Sequence, residues 1–235
     1  MKPALLVLVA LAACAHRPSL LARAIEARGG PLPAVVRVVD VDVERGFPGA
    51  WRWQTIFSIP DRYAWSLTTA DQPDHYLFDG RVVRAFIGDA LVSEDGSPTA
   101  PLRSQARFAA VANLDILLLP GVQVADIASP MLQPGTAAGI AVVFPDTGDR
   151  YAVYFDAAAL AVRVEGPADF SPFAKGILVA TYDDFRTVQS FRLPHRTRYE
   201  LEGHSLATEQ AVRICPLSEV IPASAFSAPT TLPDC

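Results

Sequence analysis

Two runs of alternating apolar and polar residues, broken only by short turns, flank one segment that is apolar around most of a helix. That order limits the folds open to the chain. In "PAVVRVVDVDVERG" Val39, Val41 and Val43 alternate with Asp40, Asp42 and Glu44, the period of a strand with one wet face. "AWRWQTIFSI" sets Trp51, Trp53, Thr55, Phe57 and Ile59 against Arg52, Gln54 and Ser58, and Pro60-Asp61 makes a turn. "RYAWSLTT" repeats the pattern with Tyr63, Trp65 and Leu67, and Asp79-Gly80 marks a hairpin between two further apolar runs. Residues 35–88 therefore predict a meander of four or five antiparallel strands with an aromatic inner face.

The period then changes. In "APLRSQARFAAVANLDILLLPG" apolar residues from Leu102 through Phe108 and Leu114 to Leu117 recur at spacings of three and four. This predicts a largely buried helix over about 101–118, ended by Pro120-Gly121. "VADIASPMLQPGTAAG" reads as irregular or weakly helical. Strands return in "GIAVVFP", "RYAVYFD" and "ALAVRVEG" and continue to "SLATEQAVRICPL". Pro194 marks an edge or a bend among them. Short connections throughout favour antiparallel pairing. The fold class is mostly β (α+β), with about ten strands in a curved sheet whose concave aromatic face is covered by the helix. Upstream, "PSLLARAIEARGG" predicts a short amphipathic helix capped by Ser19 and stopped by Gly29-Gly30. It either lies on a membrane surface or packs on the body. Arg23, Glu26 and Arg28 give it no strongly basic face, which favours packing.

The N-terminus has its own logic. Lys2 precedes the apolar run "PALLVLVALAA", the layout of a secretory signal, too short for a spanning helix of ~20 apolar residues. "LAAC", Leu11 to Cys14, resembles the bacterial lipobox. The resemblance implies cleavage after residue 13 and acylation of Cys14, and several acyl chains make an attachment effectively permanent. The alternative is an ordinary cleaved signal with Cys14 near the cut by chance. Ala15, rather than aspartate, follows the cysteine, which resembles the default for delivery to the outer membrane, on its periplasmic face. The expected division is a signal peptide over 1–13 and a single domain over 14–235. Cys215 and Cys235 then form an even pair in an oxidising compartment. An internal bridge between them would add about 3 kcal/mol in the chain-entropy model. Free thiols or pairing with another chain are the alternatives.

Half of the residues are hydrophobic (51%) and 19% are charged, which fits a folded protein with a substantial core. The net charge of -5 and the lack of basic clusters speak against nucleic acid.

The order of features is similar to the LolA/LolB-like superfamily of outer-membrane lipoprotein-sorting proteins. It runs from the lipobox and the helix ending "RGG" through "PDRYAW" and "FDG" to the apolar helix. It continues through "YAVYFD", "LAVRVEG" and "YDDFRTVQSFRLPHRTRYELEG". The resemblance implies an unclosed antiparallel β-barrel with a helical lid, its cavity holding acyl chains of lipoproteins or related lipids. It implies no cofactor. One segment departs from the lipoprotein receptor, which inserts an exposed leucine-bearing loop into the membrane. The corresponding segment here, Thr68 to His75, is polar and carries two aspartates.

Candidate ligand-binding residues are Trp53, Phe57, Trp65, Leu67, Tyr76 and Phe78 on the meander, and Phe108 and Leu114 on the helix. Aromatic walls suit ligand pockets, and the same residues equally suit a solid core. No catalytic constellation stands out. His16, His75, His195 and His204 lack metal spacing, with His195 read as a solvated strand position. Asp183 and Asp184 are adjacent on a strand and face opposite ways, and no G-x-S-x-G is present. The expected function is a lipid-anchored periplasmic protein, not an enzyme, that binds or carries a hydrophobic ligand (acyl chain, lipid or acylated protein) in envelope biogenesis. The alternative is a structural lipoprotein with a filled core serving as accessory subunit to an envelope protein partner.

Overall fold

A computed structural model describes residues 19–45, 48–67, 73–95, 99–129, 132–170 and 174–229. The expected signal segment, Cys14 and Cys235 lie outside them, as does most of the polar segment after Leu67.

Helix α1 (Leu20–Arg28) leads into strands β1 (Ala34–Val43), β2 (Gly49–Ser58), β3 (Arg62–Leu67), β4 (Asp74–Phe78), β5 (Val83–Ile87) and β6 (Ala90–Glu94). Helix α2 (Thr99–Ala112) and a 3-10 turn (Asp115–Leu118) follow. The second run comprises β7 (Gln123–Asp126), β8 (Ala138–Phe144), β9 (Asp149–Phe155), β10 (Ala161–Phe170), β11 (Ala174–Val188), β12 (Phe191–Leu201) and β13 (His204–Leu217). All thirteen form one antiparallel sheet, ordered β6-β5-β4-β3-β2-β1-β13-β12-β11-β10-β9-β8-β7. The sheet is not closed: β6 and β7 are its two edges. The long-range pairing is β1 with β13, where Val36 stands opposite Cys215 and Val43 opposite Ala207.

Local chemistry explains the connections. Ser19 Oγ accepts from Ala22 N, and Gly29 closes α1 at φ 113, a left-handed position that glycine adopts without strain. In the β4–β5 turn, Asp79 Oδ1 accepts from Arg81 N (2.9 Å) and Val82 N (2.8 Å), as an Asx turn does.

Five expectations are corrected. The sheet has thirteen strands rather than about ten. Edge strand β7 is exposed throughout and β6 nearly so, so neither shows the buried alternation that reveals a strand. "VADIASPMLQPGTAAG" accordingly contains the end of β7 instead of weak helix. The helix predicted over 101–118 ends at Ala112, and Leu114, at φ 62, turns the chain into the 3-10 segment. Pro194 is no edge residue. It pairs with Phe185 inside the sheet, next to Asp184, whose φ is 52. His195, expected in solvent, is buried. Its strand is central, and its parity is that of buried Leu193 and Thr197.

The strands of the first run and β13 contribute to clusters on both faces of the sheet. Odd-numbered Val35, Val39, Val41 and Val43 of β1 join the main core with Phe57, α1 and α2. This packing of Leu20, Leu21, Ala24 and Ile25 places α1 on the body. On the other face Val36, Ile56, Ala64, Leu77, Phe86 and Cys215 surround Phe226. The segment after β13 is held there by Ile221, whose N–H donates to Ser58 Oγ (2.9 Å) and whose carbonyl accepts from Arg62 (2.8 Å). Among the described residues no helix is long and apolar enough to cross a membrane.

Candidate functional site

Helix α2 packs chiefly on β10 and also touches β2 to β5 and β9. Asp169 N donates to Ser104 Oγ (3.0 Å), tying it to β10. Phe108 meets the edge of Tyr151 at 6.2 Å. Gly166 is required beneath that ring, because a Cβ there would stand 2.0 Å from Tyr151. The end of the helix is pinned to α1 by a buried ion pair, Arg28 to Asp115 at 2.8 Å. Asp115 Oδ2 also accepts from Leu32 N (3.2 Å), and Arg28 donates to the carbonyls of Gly30 and Asn113. A buried charge pair persists only when its remaining hydrogen bonds are met in this way.

Between α2 and the sheet lies a cavity of about 450 Å³. That is within the range of ligand pockets, roughly 300–1,000 Å³. Trp53, Phe57 and Trp65 line it from the sheet, and Phe108 and Leu114 from the helical side. Trp53 and Trp65 form an edge-to-face pair at 5.4 Å, and Tyr76 leans on Trp65 at 5.1 Å. The other three candidates fall outside the wall. Tyr76 and Phe78 pack in a separate cluster with Val83, Leu102 and Ala106, and Leu67 ends β3, half-buried beyond the cavity. Of the three, Tyr76 backs the wall through its contact with Trp65.

The wall also carries charge that the sequence reading did not single out. Arg37 lies 3.6 Å from Glu209 Oε2, which also accepts from the Tyr199 hydroxyl at 3.1 Å. Both charged residues line the cavity, with Tyr63, Tyr182 and Tyr199 around them. Burial pushes the Glu209 carboxyl up, opposed by Arg37 and by the Tyr199 hydrogen bond. Burial likewise pushes the phenols of Tyr63, Tyr182 and Tyr199 well up, so they remain hydroxyl donors. The signal was present: Arg37 shares its parity with Val35 and Val39, an arginine at an inward position.

The remaining candidates do not assemble into a catalytic or metal site. Asp183 pairs with Arg196 and Arg198, Asp184 with Arg186, and His195 Nδ1 sits against the Leu193 carbonyl. His75 Nδ1 meets Ser66 Oγ at 2.7 Å. Among the described residues no cluster of three metal-ligating side chains occurs. Cys215 is buried in the cluster around Phe226.

An unclosed antiparallel sheet with a helix packed over a hollow on one face defines the architecture. A LolA superfamily protein from Nitrosomonas europaea has the same fold, with a TM-score of 0.56 at 14% identity, covering 88% of this chain and 96% of that one. A DUF1329 family protein from Desulfovibrio piger gives a TM-score of 0.54 at 10% identity, covering 88% and 96%. No protein-family model matches the sequence, and no curated protein does. The resemblance read from the sequence holds for the fold: the chain has a LolA-like architecture.

Proposed function

We propose that the chain is a lipid-anchored envelope protein that binds an acyl chain or similar apolar ligand in its cavity, with α2 as the lid, and carries or presents it on the periplasmic face of the outer membrane. The observation that carries this reading is the hollow itself. Close-packed interiors leave few voids larger than a water, yet about 450 Å³ stays open under α2, walled mainly by rings and aliphatic side chains. The LolA-like fold supports it. The tether is Cys14, a Cys215–Cys235 bridge ties the tail to the Phe226 side of the sheet, and the protein acts by binding rather than catalysis.

Native mass spectrometry of the full chain, purified from membranes, tests the central claim. A non-covalent lipid mass is the expected result. A bare protein from every expression host, together with no uptake of added lipid, overturns it. Cys14→Ser should move the protein from the membrane to the soluble fraction, and unchanged fractionation removes the tether.

A further inference from the structure

The cavity is not uniformly apolar: Arg28, Arg45 and Arg192 also line it, and Arg37 and Glu209 form a buried charge pair on its wall. Arg37 Nη2 is buried with no hydrogen-bond partner among the described residues, and the same holds for Trp53 Nε1. Both residues line the cavity. Arg37 stands opposite Thr55 on the neighbouring strand, and Trp53 is the next residue from Thr55 on that face. Such diagonal neighbours are ~7–8 Å apart, within reach of long side chains. Thr197 Oγ1, on the strand that pairs Thr197 with Glu209, is also buried and unpaired. Buried donors normally find acceptors, and leaving them unmet costs their full desolvation. Two such donors on one wall of a hollow point to an acceptor that arrives with the ligand.

Charge decides what kind of acceptor. Arg37 already faces the Glu209 carboxylate at 3.6 Å. A second full negative charge here would be desolvated beside Glu209 with its counter-charge already engaged. A neutral carbonyl meets no such penalty and accepts from the same donors.

We infer that the cavity recognises the linkage carbonyl of an acyl ester or amide, which accepts from Arg37 and Trp53 while the hydrocarbon chain runs along the ring-lined wall. This rests on the carrier reading and specifies its ligand. Arg37 is then a head-group anchor, and a free fatty-acid carboxylate is a poorer ligand than its ester.

Displacement of the fluorescent probe 1-aminoanthracene from the full chain tests this with matched lipids: 1-monomyristoylglycerol, its ether analogue 1-O-tetradecylglycerol, N-myristoylethanolamine and myristate. The ester or the amide should bind about tenfold tighter than the ether, the ratio that ~1.4 kcal/mol gives, and tighter than myristate. Which of the two leads identifies the linkage. In Arg37→Met/Glu209→Gln, which removes both charges together and leaves Trp53 as the remaining donor, the ester-to-ether ratio should fall severalfold. A ratio that persists in that variant overturns the assignment to Arg37. Equal ester, amide and ether binding by the unaltered chain overturns the carbonyl inference, leaves the carrier reading standing, and needs no variant to fold. Tighter binding of myristate overturns the neutral head. Failure of every lipid to displace the probe sinks the carrier reading itself.

Discussion

The two faces of the sheet are built from the same strands and end in opposite ways. Val35, Phe57 and Tyr63 point to the helix side, where a hollow remains. Their immediate neighbours Val36, Ile56 and Ala64 point outward, where Phe226, fully buried, fills the space between them. The cluster around Phe226 is built from Val36, Ile56, Ala64, Leu77, Cys215 and a second ring, Phe86, and its volume closes. The helix side carries several rings, Trp53, Phe57, Tyr63 and Trp65 among them, and a cavity of about 450 Å³ stays open between them and α2. The ladder is common to both faces. What differs is whether the covering element brings enough side-chain volume to match the curvature.

The largest expected stability effect tests what holds the hollow side in place. Asp115→Ala should cost about 3–5 kcal/mol in denaturant unfolding, because it leaves Arg28 buried and unpaired. Phe226→Ala should cost about 3 kcal/mol, by loss of transfer energy and creation of a void, with lipid binding on the opposite face unchanged. A matching loss of binding would mean that the faces are not independent. Ala112→Phe, at the cavity wall, should invert that result. Stability should change by only about 1 kcal/mol, since the added ring enters existing space, while probe and lipid binding are lost.

The smallest effects are slopes with pH, and they have opposite signs. Burial alone would raise the Asp79 carboxyl, but hydrogen bonds from Val82, Arg84 and Arg81 outweigh it and hold the group below its usual 3.8. Its contribution is therefore present above that pH and lost as pH falls below it. Glu209 is raised from 4.5, so its contribution is greatest below that pH and declines as pH rises through the raised value. Urea midpoints measured from about pH 3 to 7 should lose the acid-side decline in Asp79→Asn and the decline on the rising side in Glu209→Gln. Glu209→Gln also leaves Arg37 without its partner, so the slope rather than the level is the readout.

The meander, the α1 caps and the Asp79 turn were legible because each is set within a few residues. Period-two alternation assigned Trp53, Phe57 and Trp65 to one face correctly. It did not say which of the rings touch the hollow, because that depends on where α2 lands. Tyr76 and Phe78 share the parity of the wall but sit under Leu102 and Ala106 instead. Arg37 and Glu209 were passed over since a charged residue in a strand is usually taken as solvent-facing, and only β1–β13 pairing across the whole chain brings the two together. His195 was misread for the same reason. Its exposure is decided by the strands on either side of β12, which lie far away in sequence.

The gap between β6 and β7 carries a further consequence. In a closed barrel, strand number and stagger set the girth, and no change in content can alter it without breaking a rung. Here the two rims are joined by no rung. The chain crosses from one to the other through α2, whose side chains rest on strands from both halves. A change in girth would therefore break no rung of the ladder, but it would have to shift the ties of α2, the Asp169 N to Ser104 Oγ hydrogen bond to β10 among them.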